Sequence, residues 1–121
     1  MVKDVLTMQR INRTTAIIKP KQPFVDWLNS LPDDDHVYTL KELSADNLTF
    51  LIPEADSHEE ANDYIRKKYN LIFEWELWGW VTAEEWWPAK RDWKVFQEWF
   101  KIEINSEVFD LVDGAVEKDD V

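Results

Sequence analysis

Two histidines, His36 and His58, and no cysteine bound the chemistry open to this chain. Disulfides, thiolate nucleophiles and Cys-ligated zinc are excluded. A His-based triad has few members to draw on, and no GxGxxG, P-loop, HExxH or GxSxG pattern occurs. The residues that could do chemistry gather in three places. The first is the pair of segments Lys19-Pro20-Lys21 and Glu54-Ala55-Asp56-Ser57-His58. If the strands preceding them are parallel, their carboxyl ends bring Lys19 and Lys21 to Glu54, Asp56 and His58, where open α/β sheets bind ligands. A cation, two carboxylates and an imidazole suit a small ligand, a metal or acid–base work. His58 is the one strong nitrogen donor there, so a metal is poorly provided for. The competing reading is a set of surface ion pairs, with the acids complementing a helix N-terminus.

The second place is Glu76. Projected at 100° per residue from Ile65, Ile72 falls near about −20° and Glu76 near about +20°, so a regular helix puts this carboxylate in the apolar stripe while Glu74 points away. Burial raises a carboxyl pKa unless a partner compensates. An indole N–H or Arg91 could be that partner, or the helix could end before reaching Glu76. The third place is the tryptophan set. Trp75 and Trp78 project near about −80° and −140°, and Trp86 and Trp87 are neighbours, so one packing surface cannot take both members of either pair. Trp78, Trp86 and Trp87 are the candidates for partner contact, because exposed indoles serve interfaces and can cage sugars or cations. The run Asp33-Asp34-Asp35-His36 lacks the spacing, glycine and terminal Glu of a calcium loop and reads as a solvated turn. No cofactor and no metal are expected.

Positioning these groups falls to a short series of elements. Thr14-Thr15-Ala16-Ile17-Ile18 is β-branched and halts at Pro20, the pattern of a strand. Pro23 sits at the opening of a helix carrying Phe24, Trp27, Leu28 and Leu31, which Pro32 stops. Thr39 and Glu42 have capping-box spacing. Leu48-Thr49-Phe50-Leu51-Ile52 is a second strand closed by Pro53. Ser57 with Glu60 then opens the strongest helix, whose stripe is Ala61, Ile65, Tyr69 and Ile72 and whose natural stop is Gly79. Thr82 with Glu85 repeats the capping pattern before Pro88. A further helix covers about Asp92 to Phe100, and Lys101 to Val112 reads as a last strand whose apolar phase shifts at a bulge near Ser106. The order is β-α-β-α-α-β. The fold class is α+β, a single layered domain with a three-stranded sheet packed by helices, one or both faces covered. The first two strands, joined by a helix, admit a parallel pairing with a right-handed crossover.

The 121 residues fit one domain, with an ordered core over about 12–112 and a mobile acidic tail at 113–121. Eight Trp, six Phe and three Tyr let so short a chain build a substantial core. Net charge is −11, from 25 acidic and 14 basic residues. That excess repels phosphate backbones and anionic lipid, so neither nucleic acid nor a membrane is expected as a partner. No run approaches a membrane span and Met1 to Arg10 lacks a signal-peptide core, so the cytoplasm is the expected compartment. The sequons at Asn12 and Asn47 are expected to be chance matches.

The run Lys19-Pro20-Lys21-Gln22-Pro23-Phe24, the segment Leu51-Ile52-Pro53-Glu54, and Gly79-Trp80, Trp87-Pro88, Arg91 and Trp99-Phe100 together resemble a family of small bacterial proteins catalogued as uncharacterised. The resemblance covers Asn12 to Leu111. It implies a compact bacterial domain and brings no activity, cofactor or catalytic residue with it. The leading functional expectation is a non-enzymatic protein-interaction or regulatory domain, meeting a homo-oligomer or protein partner. The alternatives are small-molecule or metal binding, with or without catalysis, at Lys21, Glu54, Asp56 and His58, and an acidic mimic or immunity protein that blocks a basic partner.

Overall fold

The computed structural model describes residues 8–32 and 35–121. Asp33 and Asp34 of the acidic run lie outside the described residues. In chain order the elements are β1 (Gln9–Arg10), β2 (Arg13–Pro20), α1 (Gln22–Ser30), α2 (Leu40–Leu43), β3 (Leu48–Pro53), α3 (His58–Trp78), a 3-10 turn (Glu84–Trp86), α4 (Trp93–Trp99), β4 (Phe100–Asn105) and β5 (Phe109–Asp110). The fold is mixed α+β.

β2 is the middle strand of a three-stranded sheet ordered β3-β2-β4, and both neighbours run antiparallel to it. The parallel pairing of the first two strands is therefore corrected. Arg13 pairs with Pro53 and Ile18 with Leu48, so the carboxyl ends of β2 and β3 point to opposite ends of the sheet. α1 and α2 lie between them along the chain, and β3 begins beside the end of β2, with Leu48 opposite Ile18.

Side-chain alternation decides how many faces are covered. Thr14, Ala16 and Ile18 of β2 are buried, along with Ile52 of β3 and Phe100 of β4, and the cross-strand register puts them on one face. Helices α1, α3 and α4 pack there through Phe24 and Leu28, through Ala61, Ile65, Ile72, Phe73 and Leu77, and through Phe96. The other face is open. Lys19, Lys101 and Glu103 meet on it, with Lys19 Nζ 3.1 Å and Lys101 Nζ 3.7 Å from Glu103 carboxylate oxygens. β2 buries every second side chain from Thr14 to Ile18, and a one-residue slip would exchange the core face for the charged one.

The helix ends follow local chemistry. Leu31 is extended, as the residue before Pro32 must be, and α1 stops there. Thr39 Oγ1 accepts from Glu42 N at 3.1 Å while Glu42 Oε2 accepts from Thr39 N at 3.4 Å, a closed capping box. At α3, Ser57 Oγ accepts from Glu60 N at 3.1 Å, but the Glu60 carboxylate reaches past Ser57 to the Asp56 N–H, also at 3.1 Å. Thr82 caps nothing. The 3-10 turn begins after Ala83 with no side-chain cap. The final segment is not one bulged strand: β4 ends at Asn105, and Phe109–Asp110 forms a separate ladder with Gln9–Arg10. Regular pairing thus begins before Asn12. Residues 113–121 are exposed and carry no helix or strand.

The interior is held by rings. Phe100, at the junction of α4 and β4, lies 5.1 Å from Phe96, 5.2 Å from Phe24 and 5.4 Å from Phe73, centroid to centroid. Trp99 adds contacts to Phe73 at 5.5 Å and Trp27 at 6.1 Å. Tilted and edge-on pairs at these separations contribute about 0.5–1.5 kcal/mol each beyond their buried area.

Candidate functional site

The antiparallel register disperses the first group of candidates. Lys21 follows the end of β2, whereas Glu54 follows Pro53, which pairs with the start of β2, so roughly 25 Å of strand separates them. Lys21 is committed elsewhere: its Nζ donates to Gln97 O at 2.8 Å and its backbone N–H to Trp99 O at 2.8 Å, fastening the start of α1 to the end of α4. Glu54, Asp56 and His58 remain together near the N-terminus of α3, all exposed. There the backbone N–H of Ala55 donates to the buried Thr14 Oγ1 at 3.1 Å. His36 stands apart from them, 2.8 Å from Glu42 Oε1. Among the described residues no three His, Asp or Glu side chains are placed to hold a metal ion.

Glu76 occupies the more informative position. Helix α3 runs without interruption to Trp78, and Glu76 lies on its inner flank, partly buried between Ile72 and the end of the helix, while Glu74 is exposed. Gly79 ends the helix at φ −62°, so the stop does not use a left-handed glycine. No hydrogen bond or ion pair joins Glu76 to the described residues. Burial without compensation pushes its carboxyl up to about 7 from an ordinary 4.5. Neither foreseen partner reaches it. Arg91 Nη1 donates to Pro88 O at 2.6 Å and its guanidinium lies over the Trp87 ring at 5.6 Å. The indole N–H groups of Trp27 and Trp87 donate to the backbone oxygens of Trp86 (3.0 Å) and Val81 (2.8 Å).

Glu76 opens onto a cleft of about 320 Å³. Its floor is Ile18, Pro20 and Phe24; its walls are Trp75, Glu76, Gly79 and Trp80 from the end of α3 and Leu43, Asp46, Asn47 and Leu48 from the turn into β3. Two carboxylates line it and no basic residue does. Asn47 Nδ2 donates to Ser44 O at 3.3 Å, and its Oδ1 is the buried side-chain oxygen without a partner among the described residues. Sequence reasoning placed Glu76 by its helical phase. It missed Asp46, Asn47 and Trp80. Asp46 and Asn47 are tied to Glu76 by no spacing along the chain, whereas Trp80 follows it by four residues, a helical spacing that links the two.

The tryptophans divide. Trp27, Trp87, Trp93 and Trp99 pack on or into the core. Trp75, Trp78, Trp80 and Trp86 are 39%, 51%, 43% and 49% exposed, a large share for so apolar a side chain. Trp75 and Trp78 do not diverge into separate surfaces. Being three residues apart on a helix they are neighbours, and their rings stack at 5.4 Å and 16°. Trp80 is braced edge-on by Tyr38 at 5.1 Å. Of the three partner-contact candidates, Trp78 and Trp86 are open to solvent, and Trp87 is half-buried with its N–H committed. No family model, curated protein or solved structure matches the chain. Among the described residues no helix is long and apolar enough to cross a membrane.

Proposed function

We propose that this chain is a non-enzymatic protein-binding domain that holds its partner on the indole rim at the end of α3. The observation that carries the reading is the exposed, mutually stacked pair Trp75 and Trp78 beside Trp80 at the mouth of an acidic cleft. Ordered aromatic side chains give large contact area at low entropic cost, and such groups dominate binding energy at interfaces. The net charge of −11 steers basic partners toward the domain and turns away nucleic acid and anionic lipid. The dispersal of Lys21 from Glu54, Asp56 and His58 takes away the geometry an acid–base or ligand site at the strand ends would need. A cytoplasmic setting is part of the proposal.

The test compares the chain with its Trp75→Ser/Trp78→Ser double variant at micromolar concentration. Light scattering after size exclusion reads self-association, and quantitative affinity capture reads a heterologous partner. The expected result is an association present in the parent chain and lost in the variant, with circular dichroism unchanged. A monomeric parent that captures nothing would remove the proposal.

A further inference from the structure

We infer that the cleft between the end of α3 and the Asp46–Asn47 turn is a receptor for a primary ammonium group, supplied by a lysine side chain of the bound protein. This rests on the protein-binding reading above and names the chemistry its partner must present. The lining holds two carboxylates and no basic residue. Glu76, which lines this space, makes no hydrogen bond or ion pair with the described residues. Asp46 adds a second carboxylate from the turn, and Trp75 and Trp80 offer ring surface to a cation. The two carboxylates come from separate elements and line one space. An ammonium, with three rotatable donors on a flexible stem, suits acceptors arriving from different directions, whereas a guanidinium is a planar fork matched to one carboxylate. The floor of Ile18, Pro20 and Phe24 suits the methylene stem. A bound ammonium would pair the charge of a carboxylate that burial alone disfavours.

The probe is n-butylammonium, titrated into the full chain while the indole N–H resonances are followed by NMR. Two controls accompany it: n-butanol, which keeps the stem without the charge, and tetramethylammonium, which keeps the charge without N–H donors. Saturable shifts at Trp75 and Trp80 are expected with n-butylammonium, weaker ones with tetramethylammonium, and none with n-butanol. Glu76→Gln should weaken n-butylammonium binding about tenfold, the loss of one charge-assisted hydrogen bond, and Asp46→Asn should weaken it less. Affinity in the parent chain should rise between about pH 6 and pH 8 as Glu76 ionises, and stay level in Glu76→Gln. Asp46 is the other titratable side chain lining the cleft, and it is exposed. Equal shifts with n-butanol, or parent-like affinity in Glu76→Gln, would overturn the inference. Partner capture that survives Glu76→Gln but not Trp75→Ser/Trp78→Ser would overturn it while leaving the protein-binding reading intact. Binding of n-butylammonium by a chain that captures no protein would reassign the cleft to a free amine and overturn the lysine form.

Discussion

The phenyl cluster beneath the sheet and the cleft at the end of α3 share a wall of aromatic side chains and differ in everything that accompanies them. Phe24, Phe73, Phe96 and Phe100 are almost wholly enclosed, meet one another edge-on or tilted, and bring no polar atom into the interior. Trp75, Trp78 and Trp80 leave much of their surface in water, and Trp75 and Trp80 line the cleft with a partly buried carboxylate and with Asn47, whose amide oxygen has no partner among the described residues. The first arrangement is optimised for burial, with every ring at the centre of other rings. The second tolerates costs that burial alone would remove. Phe24 belongs to both, packing on Phe100 with one side and flooring the cleft with the other, so the cleft rests on the rigid part of the molecule.

The sharpest break in this comparison is at Phe73. Its side chain is fully buried, with Phe96, Trp99 and Phe100 within 5.7 Å. Phe73→Ala removes those contacts and leaves a cavity that the sheet cannot collapse into. The expected loss is about 3–5 kcal/mol, a large part of the whole stability of a domain this size. Urea unfolding reads it as a lower midpoint at similar slope. A loss below about 1 kcal/mol would mean that the phenyl cluster is not the principal source of stability.

Next in size is the pH dependence set by Glu76. Its folded-state pKa is raised, to about 7 from 4.5, so the folded chain binds this proton more tightly than the unfolded chain. Stability attached to the group is therefore complete below about pH 4.5, falls as pH rises through the window to about 7, and stays low above it. The fall amounts to at most about 3 kcal/mol, reduced by whatever solvent reaches the carboxylate. Glu76→Gln should be more stable than the parent chain at pH 8 and close to it at pH 4.5. The difference between the two profiles isolates this group from the other carboxylates. Parallel profiles would show that the cleft does not hold a buried charge.

How much of this was legible along the chain depended on whether a pattern was local. The halts at Pro20, Pro32 and Pro53, the Thr39–Glu42 box and the stripe of α3 are written within a few residues each, and those elements form where they read. Glu76 was visible for the same reason, as an acid in phase with Ile65 and Ile72. The sense of strand pairing is not local. A helix between two strands permits a crossover, but the extended turn through α2 returns the chain antiparallel, and no residue in β2 or β3 states that choice. With it went the proposed meeting of Lys21 with Glu54 and His58. Asp46 and Asn47 read as ordinary turn residues, and only the folded chain sets them across from Glu76. The stacking of Trp75 on Trp78 was lost by treating two neighbouring projections as two separate surfaces.

The smallest expected effect lies at Trp78, and it tests the rim against the core most directly. Its indole is half exposed, and among the described residues its one ring contact is the stack with Trp75, itself on the surface. Trp78→Ala should cost about 0.5–1 kcal/mol, the worth of a single partly solvated aromatic pair, several-fold less than Phe73→Ala although a larger side chain is removed. Fluorescence supplies a second reading: the exposed indoles contribute the red edge of the emission and the part open to acrylamide, so both should shrink in the variant while the blue-shifted emission of the buried Trp27 remains. If Trp78→Ala instead unfolds the chain as readily as Phe73→Ala, the rim is part of the scaffold. Its exposure would then no longer argue for a partner. If stability holds and partner capture falls, the two aromatic regions do different work: the phenyl cluster maintains the fold, and the indoles meet what binds to it.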